Sequence, residues 1–343
     1  MGVRKILKLK YEDLACYTDN FSESNYLSHF QFGNLYRGKI VRDNCTLNVM
    51  VKIWEVSEIY VFWPGDNEGR LVDEVMMLRP EIHPGIVKMY GYCNEYDHLG
   101  VVYEFEPFDS VFNLIPKEDF TWLQIIKVAF AFASLLKFLH APKCSFYKPY
   151  IVRNLDCAHL VVDKDYNPKS CDFGLITGGI FPDRTIYKCH PVTGSCGYID
   201  CNAIVRGVHS ETQDVFAFGV ILLNLISERV YKRENRGLNE YEIYEWAWKE
   251  YLSFNLLEQT SESEWHTINF SLVDQSLTGE PDFDADDGEK LSEMLIECTR
   301  ADPSDRPNIK QIVRSLLKLK VVKKNADFLG LKKVPQTSEN TTF

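Results

Sequence analysis

The stretch "VRNLDCAHLVVDKDYNPKSCDFGL", Val152 to Leu175, decides how the rest of the chain is read. It sets an amide, an imidazole and a carboxylate at fixed intervals, with Asn154 five positions before His159 and 18 before Asp172. The Asn154 amide cannot take a proton, so it cannot act as a general base. The His159 imidazole offers a nitrogen better suited to zinc or copper than to Mg2+, which demands hard oxygens. Asp172, followed by Phe173 and Gly174, can hold one divalent cation or cap a turn.

Working outward, the chain falls into two halves of different texture. Up to about residue 105 it shows short β-rich runs, "YLSHFQFGNLYRGKI", "TLNVMVKIW", "GIVKMYGYC" and "GVVYEF", interrupted by one helical stretch, "EGRLVDEVMMLRP". After Pro107 the period is helical. Thr121 with Gln124 forms a capping box ahead of an apolar stripe through Trp122, Ile125, Ile126, Ala129, Ala133 and Leu136, and Ser210 with Gln213 repeats the signal before "DVFAFGVILLNLI". Further helices are expected at "NEYEIYEWAWKEYL", "GEKLSEMLIECTR" and "NIKQIVRSLLKLK". The acidic segment from Glu258 to Glu289 reads as a loop-rich insertion. The expected division is a basic, helical extension at 1–20, a sheet lobe at 21–105, a helical lobe at 106–325 and a disordered tail at 326–343. That is an α+β architecture of two lobes with a cleft between them.

Composition narrows the partners. With 38 basic and 49 acidic side chains the net charge is −11, which argues against non-specific nucleic-acid binding. Ten cysteines are scattered without a CxxC pair, and a free-thiol, cytosolic reading follows. No apolar run approaches the roughly 18 residues of a membrane span. Gly2 suits myristoylation, yet Ile6 stands where that motif wants Ser or Thr, which argues against a lipid anchor.

The ordered blocks "YEDLACYTDNFSESNYL", "NLYRG", "VMVKIW", "DEVMMLRPEIHPGIVKMYGYC", "VVYEFEP", "CDFGL", "GSCGYID", "QDVFAFGVILL" and "CTRADPSDRP" resemble the plant receptor-like kinase family, cytoplasmic branch. The resemblance implies a two-lobed protein kinase fold. It makes Lys52 and Glu74 the nucleotide-side lysine and its helix partner, Tyr103 the gatekeeper, Glu104 and Phe105 the adenine-binding hinge, and Asp172 the metal ligand. Asn154 then occupies the place of the catalytic aspartate and His159 that of the metal-binding asparagine. Ser28 and Phe30 stand at glycine positions of the phosphate loop, so that Phe30 occupies phosphate space or pushes the loop outward. Asp156 replaces a lysine, turning a phosphate-neutralising charge into a repelling one. Residues Asp200 to Asn202 stand where an activation-segment glutamate pairs an arginine, here Arg306, which puts that ion pair in doubt. Asp214 resembles the aspartate that binds the catalytic-loop backbone.

The expectation drawn from these departures is a non-enzyme, a pseudokinase, with weak ATP binding and doubtful Mg2+. The alternatives are a slow Ser/Thr kinase or a nucleotide-binding switch without turnover. Within the family the chain is most similar to the ZED-related kinases. That likeness implies an adaptor in plant innate immunity, cytoplasmic or peripheral at the plasma membrane when in complex. It would join the leucine-rich repeats of a coiled-coil NLR receptor to an effector-modified, active receptor-like cytoplasmic kinase. The expected docking surface is the activation segment, Thr177 to Tyr198, with Ile180, Phe181 and Tyr187 exposed among Arg184 and Lys188. The bland alternative is an ordinary loop tucked against the helical lobe.

Overall fold

The computed structural model describes residues 6–331 apart from 31, 43–44, 56–65, 80–82, 97, 118–119, 143–147, 182–194, 196, 201–208, 231–242 and 261–269. A six-stranded sheet forms the first lobe: β1 (Leu7–Leu9), β2 (Tyr26–Phe30), β3 (Gly33–Arg42), β4 (Cys45–Trp54), β5 (Met89–Glu95) and β6 (His98–Tyr103), in spatial order β1-β5-β6-β4-β3-β2. β4 lies inside this sheet, and its alternation sorts side chains to two faces. Met50 and Trp54 join the main core facing the second lobe, while Val49, Val51 and Ile53 join a smaller core on the other face. Lys52, between Val51 and Ile53, therefore points toward the cleft.

The smaller core is closed by the N-terminal extension. Helix α1 (Tyr11–Tyr17) inserts Leu14, which is fully buried. Gly100 makes room for it, since a Cβ there would lie 2.4 Å from Leu14 Cδ2. The strand β1 was not foreseen, the extension having been expected to be helical and basic. It pairs in parallel with β5, and a Cβ on Gly91 would come within 2.8 Å of the Leu7 carbonyl oxygen. β1 thereby covers what would be an exposed sheet edge.

Helix α2 (Asp66–Leu78) packs on β5 and β6 with Arg70, Leu71, Glu74, Met77 and Leu78 buried. A short three-stranded sheet of β7 (Asp109–Ser110), β8 (Leu160–Val162) and β9 (Pro168–Ser170) follows the hinge, together with the one-turn helix α3 (Val111–Leu114). The second lobe is built on α4 (Trp122–Leu139), α5 (Glu211–Ser227), α6 (Ile243–Thr260), α7 (Ala285–Cys298), α8 (Ile309–Leu316) and α9 (Lys320–Lys324). By length and composition α4 is apolar enough to cross a membrane, but it sits in the core against α5 and α8.

The capping box at Thr121 is formed: Gln124 N donates to Thr121 Oγ1, and Thr121 N donates to Gln124 Oε1. The one expected at Ser210 is not. The Gln213 side chain pairs with His209 instead, and Ser210 Oγ pairs with Thr212 Oγ1 at 2.7 Å. The acidic segment is only partly a loop, because α6 runs to Thr260 and α7 starts at Ala285. Asp284 caps α7 by accepting from the amides of Asp286 and Asp287, and acidic residues in a first turn suit the helix dipole. At the C-terminal end Leu329 and Leu331 pack on the main core, so the expected disordered tail does not begin at 326; residues 332–343 lie outside those described.

Candidate active site

Three elements bring the cleft residues together. β4 supplies Lys52, α2 supplies Glu74, and the turn after β9 supplies Asp172. Lys52 Nζ donates to Glu74 and, at 2.5 Å, to Asp172 Oδ1. Tyr103 donates its hydroxyl to the other Glu74 oxygen. None of Lys52, Glu74 and Tyr103 has any exposed surface. Burial alone would neutralise such groups, yet mutual attraction outweighs it for Lys52: desolvation lowers its pKa, Asp172 and Glu74 raise it, and the net shift is upward. For Asp172, burial pushes the pKa up and Lys52 and His159 pull it further down, so it is held well below the usual carboxylate range.

The remaining side of Asp172 faces the loop of the opening stretch. Asn154 Nδ2 donates to Asp172 Oδ2 at 2.7 Å. His159 is enclosed, with Nε2 3.0 Å from Asp172 Oδ2 and Nδ1 3.2 Å from Asp156 Oδ1. Both contacts are close enough for charge attraction and poorly aligned as hydrogen bonds. Burial works against the imidazolium, but Asp156 and Asp172 outweigh it and raise the His159 pKa. Asp156 has a structural role beside the charge read for it: its carboxylate caps the turn Cys157–His159 by accepting from the amides of Ala158 and His159. Asn154 Oδ1, Ser28 Oγ and Trp54 Nε1 are buried without a hydrogen-bond partner among the described residues.

Phe30 is buried in the cleft, with Lys52 Nζ 4.7 Å from its ring centre and the Trp54 ring meeting it edge-on at 6.4 Å. Between β6 and β7, Glu104 N donates to the Lys88 carbonyl oxygen at 2.8 Å, and Phe105 is buried. Beneath the loop, Asp214 accepts from the amides of Val152 and Arg153 at 2.9 and 3.0 Å, the anchoring role expected of it. It also meets His140 Nε2 at 3.0 Å, so that histidine is satisfied rather than a ligand. Arg153 holds φ 78° there, a conformation rare for a residue with a side chain.

Two further expectations are corrected. The Arg306 ion pair is present: Arg306 Nη2 donates to Asp200 Oδ2 at 2.7 Å in a buried site, so the aspartate one methylene shorter than glutamate still reaches. Phe181 is not an exposed anchor. It is 6% exposed and packs edge-on to Tyr150 at 5.9 Å, because an apolar ring beside the helical lobe gains by burial. Ile180 does project, at 54% exposure, whereas Arg184, Tyr187 and Lys188 lie outside the described residues. Cys157 and Cys171 have thiols pushed far up in pKa by burial, as expected of apolar fillers. The signal missed in the sequence was Trp54, two positions beyond Lys52 on one strand face, whose ring lies 4.0 Å from the ammonium.

Residues 22–316 match the family model described as protein tyrosine and serine/threonine kinase. Among the curated proteins, the chain is 29% identical to the probable serine/threonine-protein kinase PBL16 of Arabidopsis thaliana, over 94% of this chain and 75% of that one. It is 28% identical to the serine/threonine-protein kinase PBL34 of Arabidopsis thaliana, over 90% of this chain and 60% of that one. It is 29% identical to the EPD1-interacting receptor-like cytoplasmic serine/threonine-protein kinase of Nicotiana benthamiana, over 89% of this chain and 62% of that one. Relatives named as kinases point to an enzyme and overturn the expectation of a non-enzyme drawn from Asn154, His159 and the phosphate loop. The two-lobed fold, the cleft and these matches give one conclusion: the chain belongs to the protein tyrosine and serine/threonine kinase family.

Proposed function

We propose that the chain is a slow Ser/Thr protein kinase that also serves as an adaptor in plant innate immunity. The observation that carries the catalytic half is Lys52 bridging Glu74 and Asp172, because this assembled set is what the family uses to order a nucleotide. Its low pKa keeps Asp172 ionised at neutral pH. Asp172 is the residue that would hold a divalent cation, and in this structure both its oxygens already accept, Oδ1 from Lys52 and Oδ2 from Asn154 Nδ2, while His159 supplies no hard oxygen. ATP with that ion would supply the transferable phosphoryl group and offset its charge. Asn154 can orient a substrate hydroxyl but cannot accept its proton. Loss of a general base costs on the order of 10² to 10⁴ in rate, which makes the enzyme slow without making it inert. The test is labelling of a generic protein substrate with γ-labelled ATP, followed by phosphoamino-acid analysis. Phosphoserine and phosphothreonine support the reading; phosphotyrosine alone, or no label, overturns it.

The adaptor half rests on the family likeness. It assigns the coiled-coil NLR receptor, through its leucine-rich repeats, to one surface and an effector-modified receptor-like cytoplasmic kinase to another, in the cytoplasm or at the plasma membrane. Ile180 is the exposed apolar side chain of the activation segment among the described residues. Co-precipitation with Ile180→Glu should lose the modified kinase and keep the receptor. Retention of both partners would remove this surface from the proposal.

A further inference from the structure

The groups that a phosphate should meet are sealed. Lys52 has no exposed surface, and Asp172, Asn154 and His159 are 3%, 1% and 1% exposed. Among the described residues, two aromatic rings of the sheet lobe lie over Lys52 Nζ, Trp54 at 4.0 Å and Phe30 at 4.7 Å. Phe30 is 4% exposed and lies over Lys52 Nζ at 4.7 Å, edge-on to Trp54 at 6.4 Å and tilted against His159 at 6.1 Å. It thus touches both the β4 lysine and the loop of the opposite lobe.

The turn carrying Phe30 is pinned a second time. Phe30 pairs with Gly33 across β2 and β3, and between them Phe32 is 1% exposed, with its ring 3.8 Å from Arg70 Cζ on α2. Phe32 O also accepts from Glu55 N at 2.9 Å. Gly33 lets β3 start close against β4, since a Cβ there would fall 1.9 Å from the Ile53 carbonyl oxygen. A phosphate loop of glycines would leave this space to the ligand. Here the Phe30 ring lies over Lys52, and the Phe32 ring is held against Arg70.

We propose that Phe30 is an intramolecular occupant of the phosphate subsite, latched by Phe32, which a nucleotide must displace to enter. This rests on the reading of the cleft as a nucleotide site. Entry is then limited by release of the ring from Lys52, Trp54 and His159. The site is regulated by whatever holds or frees the turn between β2 and β3. Phe30 also insulates the Lys52–Asp172 pair from water, which strengthens that pair and makes the closed form self-supporting.

The experiment is stopped-flow binding of a fluorescent ATP analogue to the full chain, at increasing nucleotide concentration, for the wild type, Phe30→Gly and Phe32→Ala. The wild type should show an observed rate that levels off at the opening rate. Phe30→Gly should rise linearly and exceed the plateau at least about tenfold, since fully burying a phenylalanine is worth one to two powers of ten in an equilibrium. Phe32→Ala, which leaves Phe30 in place, should raise the plateau by a smaller factor and decides the matter if Phe30→Gly does not fold. A linear wild-type dependence with the same slope as the variants overturns the latch and leaves the kinase reading standing. If no protein binds the analogue while all melt normally, the nucleotide-site reading falls and takes the latch with it.

Discussion

Asn154 and Asp172, both buried, are joined by a 2.7 Å hydrogen bond from Asn154 Nδ2 to Asp172 Oδ2. The amide thus does structural service at a position where a carboxylate would face another carboxylate. Asn154→Asp removes the donor and sets two like charges side by side in a water-poor site, so it should destabilise the chain by about 1–3 kcal/mol at neutral pH. The loss should shrink in acid, where one of the pair takes a proton. Urea midpoints for the two proteins check this, and an unchanged midpoint at neutral pH would refute it.

His159 should make stability fall with rising pH. Its folded pKa lies above the ordinary value of 6.5, because Asp156 and Asp172 favour the imidazolium more than burial disfavours it. A raised folded pKa gives stabilisation that is fully present below the unfolded value and lost as pH climbs through the folded value. The wild-type urea midpoint should therefore decline above about pH 6.5. His159→Gln should flatten that part of the curve. Parallel curves would show that the ring titrates without coupling to folding.

Asp200→Ala should cost about 3–5 kcal/mol, the usual price of stranding one partner of a buried ion pair. Arg306 Nη2 would lose its 2.7 Å partner and keep a 3.5 Å contact with the Ala301 carbonyl oxygen, while Nε and Nη1 keep theirs with the carbonyls of Arg300 and Thr212. Asp200→Asn, which keeps an acceptor oxygen, should cost less. Equal melting of Asp200→Ala and the wild type would mean that the pair contributes nothing.

Much of this was legible in the sequence because it rests on period and type. Alternation in "VMVKIW" puts Lys52 on the cleft face between Met50 and Trp54, and the Thr121–Gln124 box marks the start of α4. The loop chemistry at Asn154 and His159 follows from side-chain type alone. What was not legible depended on contacts distant in sequence. β1 exists because Gly91, some 84 positions on, leaves space for Leu7. Phe181 is drawn under Tyr150, an outcome that local composition does not show. The Gln213 side chain is held by His209, four positions back, and so does not close a box with Ser210.

Gly91→Val should evict the N-terminal strand. A side chain at this position collides with the Leu7 carbonyl oxygen and with Leu9 Cδ1, each 2.8 Å from the Cβ site. Limited proteolysis should then cut near residues 7–9 much faster than in the wild type, while the sheet and cleft stay protected. Unchanged cleavage would show that β1 tolerates a displaced register.

The most direct measurement compares phosphate transfer from ATP to a protein substrate by the wild type, Lys52→Met and Asp172→Asn, each shown to melt cooperatively. Slow incorporation by the wild type, lost in both variants, is the predicted result, because Lys52 bridges Asp172 and Glu74 in the assembled charge set of the cleft. Incorporation that persists in both variants, or a wild type no more active than either, would contradict a working kinase site.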